Sequence, residues 1–241
     1  MWAFFWLNSA FAQELETGAA LVGAVAQGVN ETPVSTAVRL LLTLSALSFL
    51  PAMLVVMTPF VRFIIVFSML RQALGMAQSP PNQVLIGLSL FLSLMVMEPT
   101  LTVAYHQGLE PFLAGQMQVG DAWDATMEPL RGFMLANTRK TDMLTILQVA
   151  NQDRPDSLAE LSTAVVTSAF VLSELKTAMV ITIYIFIPFL VIDLVTSSVL
   201  LGMGMMMLPP TTISLPFKLM IFVLTDGWGL LVRDMVQGIA R

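Results

Sequence analysis

Four stretches of this chain, roughly residues 40–57, 84–104, 178–203 and 212–232, are each apolar over about the 20 residues that a helix needs to cross a lipid bilayer. That feature narrows the fold more than any motif. Charged residues make up only 11% of the 241, against about 25% in an ordinary soluble domain. So few charges cannot coat a globule of this size, so the missing polar surface faces lipid or other subunits. The expected fold is an all-α membrane protein: about four long apolar helices in bent hairpins, an extramembrane amphipathic helical region, and helical oligomeric assembly.

The formal charge of −5 and the absence of any basic stripe exclude a nucleic-acid partner, which would need phosphates neutralised. Without cysteine there is no disulfide framework, no thiolate metal site and no thiol nucleophile. Residues 1–12 are expected to form a signal peptide, because Trp2 to Leu7 is apolar and Ala10-Phe11-Ala12 offers a small-x-small cleavage pattern. No Lys or Arg precedes that stretch, which leaves a truncated start or an interfacial anchor through Trp2 and Trp6 as alternatives. Residues 13–36 read as a flexible N-terminus, 37–106 as a first apolar hairpin, 107–176 as a polar helical region, and 177–241 as a second apolar hairpin with a methionine-rich loop.

Bends are expected at Pro51, Pro59, Pro188, Pro209 and Pro210, where the ring removes a helix hydrogen bond. Freed backbone groups in a membrane need neighbours, so the chain is expected to be obligately oligomeric. The polar region holds nine acids against five bases, whereas the loop 71–83 is short, lacks acid and is flanked by Arg62 and Arg71. By the positive-inside rule that loop is cytoplasmic and the polar region periplasmic. Within the polar region, 129–150 has the apolar spacing of an amphipathic helix pair, and Ser157 with Glu160 resembles a capping box opening one helix from Leu158 to Leu200.

The single His106 excludes His-based metal cages and is most simply interfacial. Asp193 and Asp226 would form the only conceivable acid dyad of an intramembrane hydrolase, although Asp226 in TDGWG also suits a helix irregularity satisfied by its own side chain. With Glu98 the same two acids would line the path of a proton-coupled small-molecule transporter. Glu174 and Lys218 are costly beside long apolar runs; either they snorkel at helix ends or they form an ion pair, within the chain or between subunits. Met203, Met205, Met206 and Met207 cluster beside Gly202 and Gly204, just before Pro209-Pro210. Flexible thioethers on a turn suit a compliant seal. Core gap filling and a Cu(I) site are the other readings, the latter without any Cys or nearby His.

The blocks MTPFVRFIIVFSMLRQALGMAQSPPNQVLIGLSLFL, RGFMLANTRKTDM, SELKTA and IFIPFLVIDLVTSSVLLGMGMMMLPPTTISLPFKLMIFVLTDGW resemble the FliP family of flagellar type III export proteins and its SctR-like injectisome relatives. The resemblance covers most of the chain from Met57 onward. It implies an inner-membrane export gate of the flagellar basal body, with part of the assembly on the periplasmic side. In such a gate several copies of the chain, expected to be five, wind with FliQ-like and FliR-like subunits into a cone that unfolded flagellar substrates traverse. It also implies contacts with other export apparatus membrane proteins, a methionine gasket of Met203, Met205, Met206 and Met207, and subunit contacts at Glu174 and Lys218. No catalytic residue and no cofactor carries over, and energy would come from other proteins.

Overall fold

The computed structural model describes residues 55–76, 78–152, 160–205 and 208–239, together with Leu41, Leu44 and Ser48. The expected signal peptide, the flexible N-terminus, Pro51, Ser157, Met206 and Met207 lie outside the described residues, as does most of the first apolar stretch. Contacts along the chain divide it after Leu54, and the helices from Phe60 onward all belong to the second unit, Val55–Arg241.

The described elements of that unit are all helical: α1 (Phe60–Ala73), α2 (Asn82–Ala104), a π turn (Tyr105–Leu109), α3 (Glu110–Leu113), α4 (Val119–Asn137), α5 (Lys140–Val149), α6 (Thr163–Gly202), α7 (Pro210–Leu224) and α8 (Gly227–Gln237). Pro59 stands at the N-cap of α1, and Pro209 and Pro210 hold the N-cap and first helical position of α7. At those positions a missing N–H costs nothing. These three prolines therefore start helices instead of bending them. Pro188 lies inside α6, which continues past it as one 40-residue helix. At about 1.5 Å per residue α6 is roughly 60 Å long, twice a bilayer core.

The expected four long apolar helices reduce, among the described residues, to two that are long and apolar enough to cross a membrane, 82–113 and α6. A third arises if α7 and α8, bent by 62° at Thr225-Asp226, form one span. The expected helix from Leu158 instead opens at Thr163, where Ser162 accepts a hydrogen bond from the Val165 N–H at 3.4 Å. The amphipathic pair is present as α4 and α5, but α4 begins ten residues before Pro129 and the break falls at Thr138-Arg139.

Apolar residues at helical spacing decide the packing. Phe63, Val66, Phe67 and Leu70 of α1 are fully buried and share one apolar core with Val166, Ala169, Phe170 and Ala178 of α6. The inward face of α2 carries Leu85, Ser89, Ser93, Val96 and Met97, whose small serines let helices approach closely. Aromatic rings tie the parts together: Phe133 meets Phe170 edge-on at 6.0 Å, and Trp228 of α8 lies 5.6 Å from Phe222 of α7 and 6.0 Å from Phe67 of α1.

The π turn is held against α4 at Gly108. A Cβ there would lie 2.0 Å from Thr126 Oγ1 and 2.8 Å from both Ala122 O and Thr126 N, so backbone as well as side chain would have to move. Gly108→Ala is accordingly expected to lower stability by about 2 kcal/mol, within the usual overpacking range. Thermal unfolding of the detergent-solubilised protein measures it, and an unchanged midpoint would mean that the π turn moves away freely.

Candidate functional site

α6 ends in a motif that the sequence encodes directly. Gly204 adopts φ +75, its N–H donates to Leu201 O at 3.0 Å, and the Met205 N–H donates to Leu200 O at 3.0 Å. This is a Schellman termination, in which a left-handed glycine satisfies the last free carbonyls. Met203 and Met205 are thereby placed on an exposed turn between α6 and α7.

Two ionic junctions, one buried and one partly buried, stand below that turn, and neither pairs Glu174 with Lys218. In the first, Glu174 of α6 receives a bidentate fork from Arg62 of α1, with Nε donating to Oε2 at 2.7 Å and Nη2 to Oε1 at 2.5 Å. Both side chains are under 5% exposed. Arg62 also donates from Nη1 to Gly238 O at 3.4 Å, at the end of α8. In the second, Lys218 of α7 donates to Asp193 Oδ2 of α6 at 2.6 Å and to Ala73 O, the last carbonyl of α1, at 3.0 Å. Ser214 of α7 donates to Asp193 Oδ1 at 2.5 Å. Within one chain, then, the expected Glu174–Lys218 pair is replaced by Arg62–Glu174 and Asp193–Lys218. The reason is depth: Glu174 lies beside the polar region, whereas Lys218 lies about 19 residues further along α6, beside Asp193.

Asp193 spends both carboxylate oxygens on these contacts, so it is not a free acid awaiting Asp226. Asp226 occupies the 62° bend at φ 50, ψ 50, a left-handed conformation that Asp tolerates better than most residues. Glu98 is exposed on α2 beside Pro99. His106 sits exposed in the π turn, 2.5 Å from Glu110 and edge-on to Tyr105. Among the described residues no three His, Cys, Asp or Glu side chains are grouped to hold a metal.

A third cluster joins the polar region to α6. Asp142 of α5 is fully buried and accepts from Ser173 at 2.8 Å and from Lys176. The Arg139 N–H in turn donates to Ser173 Oγ at 3.0 Å. Burial pushes the Asp142 carboxyl up, but hydrogen bonds from Lys176 and Ser173 and the charges of Lys176 and Arg139 outweigh it and hold the group below its ordinary 3.8. A depressed folded pKa gives stability that is present above the unfolded value and lost as pH falls through the folded one. Asp142→Asn is therefore expected to cost about 1–2 kcal/mol at pH 7, since Lys176 is half exposed and not stranded. The gap between wild type and variant should close as thermal unfolding is repeated below pH 4. A gap independent of pH would show that the carboxylate's charge does not matter.

Arg62, Asp142 and Ser214 are the residues that sequence reasoning missed. Arg62 carries a signal, a charge inside the apolar run VRFIIVF, but its place before the loop 71–83 reads as that of a flanking cytoplasmic charge. Buried against Glu174, it cannot serve as a loop charge, which leaves Arg71 alone on that side of the loop. Arg71 donates to Pro80 O at 3.1 Å and Asn82 Oδ1 at 2.7 Å, stapling the turn between α1 and α2.

Long apolar helices, ion pairs between them and a methionine turn at one hairpin tip define, among the described residues, an all-helical protein of membrane-spanning character. The sequence model of the FliP family matches residues 42–235. The chain is 50% identical over 200 residues to a flagellar biosynthetic protein FliP of Pectobacterium carotovorum, covering 83% of this chain and 78% of that one. It is 46% identical over 204 residues to the protein of the same name from Bacillus subtilis, covering 85% and 92%, and 44% identical over 234 residues to that of Caulobacter vibrioides, covering 97% and 84%. This chain belongs to the FliP family.

Proposed function

We propose that the chain is a structural subunit of the flagellar protein export gate in the bacterial inner membrane, forming part of the channel through which unfolded flagellar proteins pass. Family membership across both hairpins is the observation that carries this reading. The surface supports it: only 17% of the most apolar part of α6 is buried within the chain, and Tyr184, Leu194 and Leu201 stand exposed. A groove of about 610 Å³ between α6, α7 and α8, lined by Ile181, Tyr184, Phe189, Phe222 and Leu231, likewise suits packing against neighbours.

In this reading five copies assemble with FliQ-like and FliR-like subunits, the polar helices α4 and α5 face the periplasm, and Met203, Met205, Met206 and Met207 form the collar that seals the pore. The chain performs no catalysis and binds no cofactor. Transport by a single chain is disfavoured because Asp193 is already paired with Lys218 and hydrogen-bonded by Ser214. Native mass spectrometry of the detergent-extracted complex tests the proposal. A species containing several copies with two other apolar subunits is expected; a stable monomer that restores flagellar assembly would sink it.

A further inference from the structure

Three elements meet at one ammonium group. Lys218, 4% exposed, joins α7 to Asp193 on α6 and to the terminal carbonyl of α1, while Ser214, one turn earlier on α7, completes the bond to Asp193. A lysine buried this deeply needs fixed partners, and the end of α1 offers the negative pole of a helix as well as a free carbonyl. The contact continues outward, because Leu215 of α7 lies against Gly75, where α1 ends in a second left-handed glycine turn at φ +79. That turn is stapled to the start of α2 by Arg71.

The junction stands two turns into α7 and about two and a half turns before the end of α6, bridging the two arms of the hairpin whose tip carries Met203 and Met205. Among the described residues no other side-chain hydrogen bond ties those arms to each other near the tip, and the backbone bonds of Gly204 and Met205 run back to α6, not across to α7. We propose that Lys218 is a positioning residue for the methionine turn: through Asp193, Ser214 and Ala73 O it fixes the height of the hairpin tip against the end of α1. Its part in sealing rests on the methionine collar proposed for the pore, but the positioning does not.

Two measurements separate the two. The chain has no cysteine, so Leu208→Cys, at an exposed site beside the tip, is a unique label position. In the assembled complex, Lys218→Met combined with Asp193→Leu removes the junction without stranding a buried charge, which is why assembly should survive. Maleimide labelling of Cys at 208 is then expected to change about fivefold or more in rate, with Ser214→Ala giving a smaller shift in the same direction, because tip motions no longer need to break the junction. Small-ion leakage in cells should rise although every methionine is retained. Should the paired variant fail to assemble, Ser214→Ala and Asp193→Asn take its place with labelling as the readout. Labelling unchanged in the assembled variants overturns the proposal. Altered labelling without leakage upholds the positioning and instead removes the methionine seal.

Discussion

Arg62→Leu is expected to remove the protein from the membrane almost entirely. The change leaves the Glu174 carboxylate 1% exposed with both of its charged hydrogen bonds gone, and it frees Gly238 O at the end of α8. Breaking a buried pair from one side costs about 3–5 kcal/mol, a large share of a stability that is typically about 5–15 kcal/mol. The paired change Arg62→Leu with Glu174→Leu should recover most of the loss, since an apolar pair of similar volume replaces the ions without a stranded charge. Membrane abundance by immunoblot and the unfolding midpoint of the purified protein measure both variants. If the single variant is as abundant and stable as wild type, Glu174 finds water or another cation once Arg62 is gone, and the pair does not hold α1 to α6. The exchange Glu174→Lys with Lys218→Glu is expected to restore nothing over its single changes, because each residue then faces a like charge, Arg62 or Asp193.

Apolar length and periodicity made much of the fold legible. They located α2, α6 and the amphipathic pair α4 and α5, because helix formation in apolar and amphipathic segments depends on the local spacing of side chains. Boundaries were less legible where punctuation competes. Pro59 and Pro210 read as bends yet open helices, since a missing N–H is costly inside a helix and free at its first turn. The pairing of charges was not legible at all. That Glu174 and Lys218 must have partners followed from their cost beside apolar runs, but Arg62 and Asp193 are 112 and 25 residues away in sequence, and only the packing of α1 and α7 on α6 selects them. Asp142 looked like one acid among nine in a polar region, and its burial comes from α5 lying on α6. The methionine turn was legible because its cause is local: Gly204 needs a positive φ and Pro209-Pro210 restart the chain as α7.

Replacing Met205, Met206 and Met207 together with Ala is expected to raise small-ion leakage about tenfold or more while leaving assembly nearly intact. Assembly should survive because Met205 is exposed on the turn and none of the buried contacts of α6 or α7 passes through it. In a ring of subunits each turn would contribute its thioethers to one collar, whose apolar atoms disfavour water in the constriction. Ala truncates each side chain to a methyl group and would widen such a collar, so that ions hydrate and cross. Val at the same three positions keeps more bulk but stiffens χ1, so it should leak less than Ala and yet slow export, because a passing chain presents side chains of varied shape that unbranched methionine follows and a β-branched residue does not. Ion-dependent growth arrest or a fluorescent potential probe reads the leak, and secreted filament protein reads export. The two arms oppose each other, which separates a seal from mere packing: loss of packing would make Ala and Val variants fail together in assembly. A triple Ala variant that assembles, exports and holds ions like wild type would reduce the four methionines to filler at a hairpin tip.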